Sequence, residues 1–298
     1  MIFLNNRSNL IDYHVHERHS GDAKKTRVID IVRAAKSRNV NEIAFTTHLV
    51  TAGPAEGFGI KADEIEEYFD EIYAAQEESE ALLRVGLEVD YFPAEERRLE
   101  SLLSEYPFDF VLGSVHVVNG REIASGKDSA SFFEGRPLTE AVSEYFEVWK
   151  KAVQSGLFDV MAHPDYFKKH LQLFRPQPLT WRELKPYALD AIQSLADFGV
   201  GYEVNTSCMR HGAGEFFPVK EFVEAAYKIG VKRVTVGSDT HIPETLGYRI
   251  SDALSCLYDA GYRRVDLYRG RKSIGVDISS LQNIQTPQES AIETPTLI

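Results

Sequence analysis

The sequence predicts an α/β protein whose parallel strands close into a barrel. Three observations lead there. Short β-branched and aromatic runs alternate with helical periodicity from residue 10 to residue 268, the pattern of repeated β-α units around a parallel sheet. The 298 residues suit one large α/β unit, and no composition shift marks a domain boundary before about residue 278. Histidines and carboxylates follow the strand runs directly, and in such a barrel all C-terminal strand ends converge on one face.

The elements follow in order. Residues 10–14 read as the first strand, and 27–38 as an amphipathic helix with Val28, Ile31, Val32 and Ala35 on one face. Residues 42–46 are the second strand. Residues 63–81 form an acidic helix with Ile65, Phe69, Ile72 and Tyr73 inward, its glutamates facing solvent. Strands at 84–88 and 108–114 flank a helix at 94–104, and a helix at 138–155 leads to a strand at 158–162. A loop marked by Pro176 and Pro178 precedes the helix 181–198 and the strand 201–205. Pairs at 219–229 with 233–237, and at 251–260 with 264–268, complete the series. From Ser279 onward Gln, Ser, Thr and Pro dominate and aromatics vanish. Residues 1–278 are therefore expected to form a single domain, and 279–298 a disordered tail.

Composition excludes several classes. At 43% hydrophobic and 26% charged, the chain is ordinary for a globular protein. A net charge of -12 argues against non-specific nucleic-acid or anionic-membrane binding, since both need a basic face. Cys208 and Cys256 supply neither a disulfide framework nor a Cys-based zinc site; Cys256 lies in an apolar helical run and is expected in the core. No cleavable signal sequence or run of bilayer length is present, so a reducing cytoplasm is the expected compartment. The glycines at 53, 57 and 59 mark a loop and match no phosphate-binding pattern.

The chemistry is carried by histidine. In Asp12-Tyr13-His14-Val15-His16 the two imidazoles alternate onto one side of an extended segment, a bidentate grip on a divalent metal. An isolated pair is equally consistent with two structural histidines. The rest of the chain decides: His48, Glu88, His116, His163, Asp239 and His241 each close or follow a later strand, and Asp22 follows the first. His19, His170 and His211 do not, and are read as lying outside the site.

These motifs resemble the PHP (polymerase and histidinol phosphatase) family, in its histidinol-phosphatase branch. The matching pieces are His14-Val15-His16 with Ser20 and Asp22, Thr47-His48, Glu88, Gly113-Ser114-Val115-His116, His163-Pro164-Asp165, Glu203-Val204-Asn205-Thr206-Ser207 and Gly237-Ser238-Asp239-Thr240-His241. The resemblance implies a distorted (β/α)7 TIM-like barrel and three divalent transition-metal ions. His14, His16, Glu88 and Asp239 would hold the first; Glu88, as a bridge, with His116 and His163 the second; Asp22, His48 and His241 the third. Some family members carry His at the position of Asp22, and Asp makes that site more oxygen-rich, leaving zinc, manganese and iron as the metals in view.

The expected reaction is hydrolysis of a small phosphomonoester, with a metal-bridging hydroxide attacking phosphorus in line and Asp239 or a water protonating the leaving alkoxide. Arg210, in the stretch after the sixth strand, is the first candidate for gripping phosphate bidentately, as in the family's histidinol-phosphate enzymes. Lys168 and Lys169 come next, and Arg18 after them. Asp165 and Asp90 are candidates to accept the substrate amine. L-histidinol phosphate is the expected substrate. The alternatives are a PHP phosphoesterase acting on nucleotides, RNA ends or phosphotyrosine, and, more remotely, a non-catalytic metal-binding regulatory module. The nucleotide branch usually carries an inserted subdomain for which no segment is spare here. A non-catalytic module predicts eroded ligands, whereas all nine positions are filled.

Overall fold

The computed structural model describes residues 9–126, 129–175, 177–211 and 214–282. The core sheet is built from β1 (Leu10–Val15), β2 (Val40–Leu49), β3 (Leu82–Asp90) and β4 (Phe110–Ser114). After a small hairpin, β5 (Val117–Val118) with β6 (Arg121–Glu122), it continues with β7 (Val160–Met161), β8 (Gly201–Asn205) and β9 (Val234–Gly237). The order β1-β2-β3-β4-β7-β8-β9 is parallel throughout. A parallel bridge between Val15 and Thr240 brings the two edges together, with His16 N–H donating to Thr240 O at 2.8 Å and Thr240 N–H to His14 O at 3.2 Å. The expected seven-stranded barrel is present, and its seam runs through the ligand motifs themselves.

The helices are α1 (Val28–Arg38), α2 (Ile65–Glu77), α3 (Glu96–Glu105), α4 (Ser129–Phe133), α5 (Leu138–Gln154), α6 (Trp181–Phe198), α7 (Lys220–Ile229) and α8 (Ile250–Ala260). Their buried faces follow from the apolar spacing. α1 buries Val28, Ile31, Val32 and Ala35 and ends where Asn39 takes a left-handed conformation, its N–H reaching back to Ala35 O and Lys36 O. α6 starts on a capping box in which Thr180 N–H donates to Glu183 Oε2 at 3.0 Å and ends at left-handed Gly199. In α2 Ile65, Phe69 and Ile72 are buried as expected, but Tyr68 joins them, whereas Tyr73 is 54% exposed. With 3.6 residues per turn, a face defined by Ile65, Phe69 and Ile72 takes in position 68, not 73.

Two terminal expectations change. Residues 264–268, the terminal strand beyond the seven of the barrel, do not continue the parallel series: β10 (Arg264–Arg269) pairs antiparallel with β11 (Lys272–Asp277). This hairpin covers the N-terminal end of the barrel. Tyr268 N–H donates to Tyr13 Oη at 3.0 Å, its ring lies 4.8 Å from Phe110, and Arg271 ion-pairs with Asp159 at 3.1 Å. The expected tail starts in structure, because α9 (Ile278–Leu281) buries Ile278 and Leu281, and Gln282 Nε2 donates to Ser251 O at 2.5 Å. Composition alone misses this, since two apolar side chains with the right phase suffice to dock one turn. Residues 283–298, the remainder of the expected tail, lie outside the described residues. Cys256 is half-buried against the core.

Candidate metal centre

Each ligand-type side chain is delivered by a strand end, and register decides which of them meet. His48 of β2 is paired with Glu88 of β3, and Glu88 with Leu112 of β4, so Glu88 stands between the two halves of the cluster. Its Oε2 lies 3.2 Å from His14 Nε2, 3.5 Å from His16 Nε2 and 3.0 Å from His48 Nδ1. Its Oε1 lies 2.8 Å from His163 Nε2 and 3.5 Å from His116 Nε2. Asp239 approaches from the seam, with Oδ1 3.7 Å from His14 Nε2 and 3.4 Å from His16 Nε2. Asp22 reaches His241 Nε2 at 3.0 Å and His48 Nε2 at 3.8 Å. All nine residues meet in one cluster. His48 is less exclusively placed than the resemblance implies, since one ring nitrogen faces Glu88 and the other Asp22.

The cluster fits divalent cations. The donor set of imidazole nitrogens and carboxylate oxygens is that of zinc, manganese or iron sites. His14 Nε2 and His16 Nε2 face each other at 3.1 Å, and the buried His116 Nε2, on the Glu88 side of its ring, has no hydrogen-bond partner. Buried polar atoms are rarely left so without a reason. The groups His14–His16–Asp239, His14–Glu88–His163, His48–Glu88–His116 and His16–His48–His241 each bring three ligand atoms within 4.8 Å of one another.

Electrostatics point the same way. Burial opposes charge on His48, yet Glu88 and Asp22 outweigh it and push the ring up to about 10. Burial also opposes charge on His14, and Glu203, Glu88 and Asp239 raise it nonetheless. His16 is pulled down to about 3 by burial and then by His241 and His48. Burial disfavours ionised Glu88 and Asp239 too, but the surrounding imidazoles, His14 first, hold both well below the carboxylate range. Buried carboxylates of this density call for positive charge, from protons or from cations.

Behind the ligands stands a row of residues whose role sequence reasoning missed. Glu203 Oε1 meets His14 Nδ1 at 2.8 Å, Asp90 Oδ1 meets His116 Nδ1 at 3.0 Å, and Ser20 Oγ meets His16 Nδ1 at 2.9 Å. Each fixes the far nitrogen of an imidazole, which orients the ring and sets which nitrogen faces the centre. The available signal was position: Glu203, like Glu88, sits near a strand end after an apolar run. Backbone is constrained here as well, since His163 (φ 29°) and Asp239 (φ 53°) both lie in the left-handed region. Gly59 backs directly onto His48, where an added Cβ would fall 1.8 Å from His48 O.

The cationic candidates are sorted by the fold. Arg210 donates to Ser238 O at 2.6 Å and Asp239 O at 2.7 Å, beside the Tyr248 ring; it stands next to the site while bracing the Asp239 turn. Lys168 is buried in an ion pair with Asp165 at 2.8 Å and a second with Glu215 at 3.1 Å, and does not face the cluster. Lys169 donates to Tyr166 Oη at 2.6 Å, with Asp239 and Asp22 among the charges acting on it. Arg18 points to Glu67 and Glu71 of α2. Asp90 Oδ1 is engaged by His116, and Asp165 Oδ2 by Lys168 and Val219 N–H, while the buried Asp165 Oδ1 has no hydrogen-bond partner. His19 sits on Glu17 at 3.0 Å and His170 on Ala124 O at 2.9 Å, apart from the cluster; the His211 side chain lies outside the described residues.

Comparison with known proteins agrees with this geometry. Residues 12–207 match the model of the PHP domain. A probable histidinol-phosphatase from Deinococcus radiodurans is 33% identical over 88% of this chain and 98% of its own length. The histidinol-phosphatase of Lactococcus lactis is 25% identical over 88% of this chain and 95% of its own. Among solved structures, the histidinol phosphate phosphatase of Lactococcus lactis, complexed with zinc, L-histidinol and phosphate, superposes with a TM-score of 0.78 at 24% identity, covering 89% of this chain and 99% of that one. A likeness at that identity concerns the fold. The match over residues 12–207 and the full-length relative together place the chain in the PHP family, in its histidinol-phosphatase branch.

Proposed function

We propose that the protein is a divalent-metal-dependent phosphatase that hydrolyses L-histidinol phosphate to L-histidinol and phosphate. The single observation that carries the reading is the Glu88 carboxylate, one oxygen turned to His14, His16 and His48 and the other to His163 and His116. Glu88 would there be shared between two cations, and Asp22, 3.0 Å from His241 and 3.8 Å from His48, would join those two histidines in holding a third. Zinc, manganese and iron all suit these donors. When bound, such cations supply Lewis acidity, lowering the pKa of water and neutralising charge on the phosphoryl oxygens.

The chain's own residues do the rest. Phosphomonoester hydrolysis is extremely slow uncatalysed, so preorganisation must be tight. Glu203, Asp90 and Ser20 hold three imidazoles in fixed orientation. Asp239 stays ionised among the histidines, which suits it to hold a cation and makes it a poor acid for the leaving alkoxide. Lys169 supplies positive charge for the phosphate, with unused Arg210 donors as a second source; Lys168 is withdrawn from that role by its ion pairs.

A substrate panel with the metal-reconstituted protein tests the reading. The kcat/KM for L-histidinol phosphate should exceed that for p-nitrophenyl phosphate by about a hundredfold or more, a polar-recognition effect of order 3 kcal/mol. A nucleotide or phosphotyrosine peptide turning over faster than L-histidinol phosphate would overturn the substrate assignment and leave the metal centre standing. Absence of turnover on every ester would favour the regulatory module.

A further inference from the structure

The segment after His163 carries two adjacent lysines, and backbone geometry sends them in different directions. Tyr166–Leu173 is a 3₁₀ helix, in which side chains three residues apart eclipse. Tyr166 and Lys169 therefore stack on one face, with the Lys169 ammonium donating to Tyr166 Oη at 2.6 Å and lying 4.9 Å from the ring centre. Lys168, a third of a turn earlier, is directed to Asp165 and Glu215. The Tyr166 ring is itself anchored, 4.3 Å from His163 and 4.8 Å from His116 between ring centroids, and only 5% exposed.

A lysine side chain is a flexible four-carbon stem, and Asp239 and Asp22 are among the charges that act on this one. Its tie to a phenol that is packed against two ligand imidazoles removes that freedom. We propose that Tyr166 is a positioning residue whose hydroxyl holds the Lys169 ammonium at the edge of the ligand cluster, as a fixed point charge for the substrate phosphate. The proposal rests on the phosphatase reading above. It adds that the phosphate site is coupled through Tyr166 to the histidines that follow β4 and β7. Fixing the cation before binding lowers the ordering cost of binding.

The test compares Tyr166→Phe, Lys169→Ala and the double variant in the metal-loaded protein. Tyr166→Phe keeps the ring against His163 and His116 and deletes only the hydroxyl. The readouts are zinc content, inhibition by inorganic phosphate, and kcat and KM. Both single variants should keep full zinc content and bind inorganic phosphate about tenfold more weakly. The double variant should bind it no more weakly than Lys169→Ala alone, because the hydroxyl acts only through the lysine. A merely structural tyrosine would lower zinc content or stability without that non-additivity. Unchanged phosphate affinity in Tyr166→Phe, or losses that multiply in the double variant, would overturn the proposal. Because inorganic phosphate is the probe, the outcome does not depend on which ester proves to be the substrate.

Discussion

Glu203 Oε1 stands 2.8 Å from His14 Nδ1, and its other oxygen accepts the backbone N–H of His163 at 3.1 Å. One fully buried carboxylate thereby orients a ligand on β1 and braces the left-handed turn of a ligand after β7. Glu203→Gln preserves shape and removes the charge. Metal affinity, measured by competition with a chelator, should fall about 10- to 100-fold, with a parallel loss of turnover. Retention of metal at the level of the unmodified protein would show that His14 needs no such partner.

Gly237 leaves the space in which that contact forms. A Cβ there would fall 2.2 Å from Glu203 Oε1 and 2.4 Å from His14 Cβ. Gly237→Ala should destabilise the protein by about 1–3 kcal/mol in urea unfolding and reduce activity beyond what lost folded protein explains. A variant with normal stability and turnover would mean that the seam relaxes.

Asp239→Asn isolates a charge from a backbone constraint. Asp239 has φ 53°, and Asn tolerates the left-handed region nearly as well as Asp. Turnover should fall by about 10²-fold or more, while the melting temperature without metal changes little. A large fall in that melting temperature would assign Asp239 a structural role as well.

Metal uptake should release protons. Without metal, the folded-state pKa of His48 is raised from 6.5 to about 10 and that of His14 is raised above its ordinary value, so both rings carry protons at pH 7. Ligation requires neutral rings, and the apparent affinity should therefore weaken as pH falls. Calorimetric titration with zinc in two buffers of different ionisation enthalpy should show release of about one to two protons, and uptake of more than two metal equivalents. A stoichiometry at or below one would remove the three-cation arrangement.

Removal of residues 279–298 should cost stability. Leu281 is 5% exposed, and Gln282 ties to Ser251, so about 1–3 kcal/mol of burial is lost. An unchanged melting temperature would show that α9 contributes nothing to the packed body.

The class of fold and the candidate ligand set follow from the order of the amino acids alone. Apolar periodicity marks each strand, chain direction puts every strand end on one face, and a histidine or carboxylate within two residues of that end then faces its counterparts. His14, His48, Glu88, His116, His163 and Asp239 were legible for that reason. Contacts between distant segments settle the rest, above all which partner each charged side chain takes. Glu203 and Asp90 look like other acidic residues until the register sets them beside His14 and His116. Lys168 and Lys169 are indistinguishable in sequence, and the turn at Tyr166–Leu173 sends one to Asp165 and Glu215 and the other to Tyr166 Oη. The β10–β11 hairpin repeats the apolar pattern of a barrel strand, yet the Val15–Thr240 bridge has already closed the sheet. Periodicity reports which face of an element is buried. It does not report against what, because that depends on register and on contacts between residues remote in the chain.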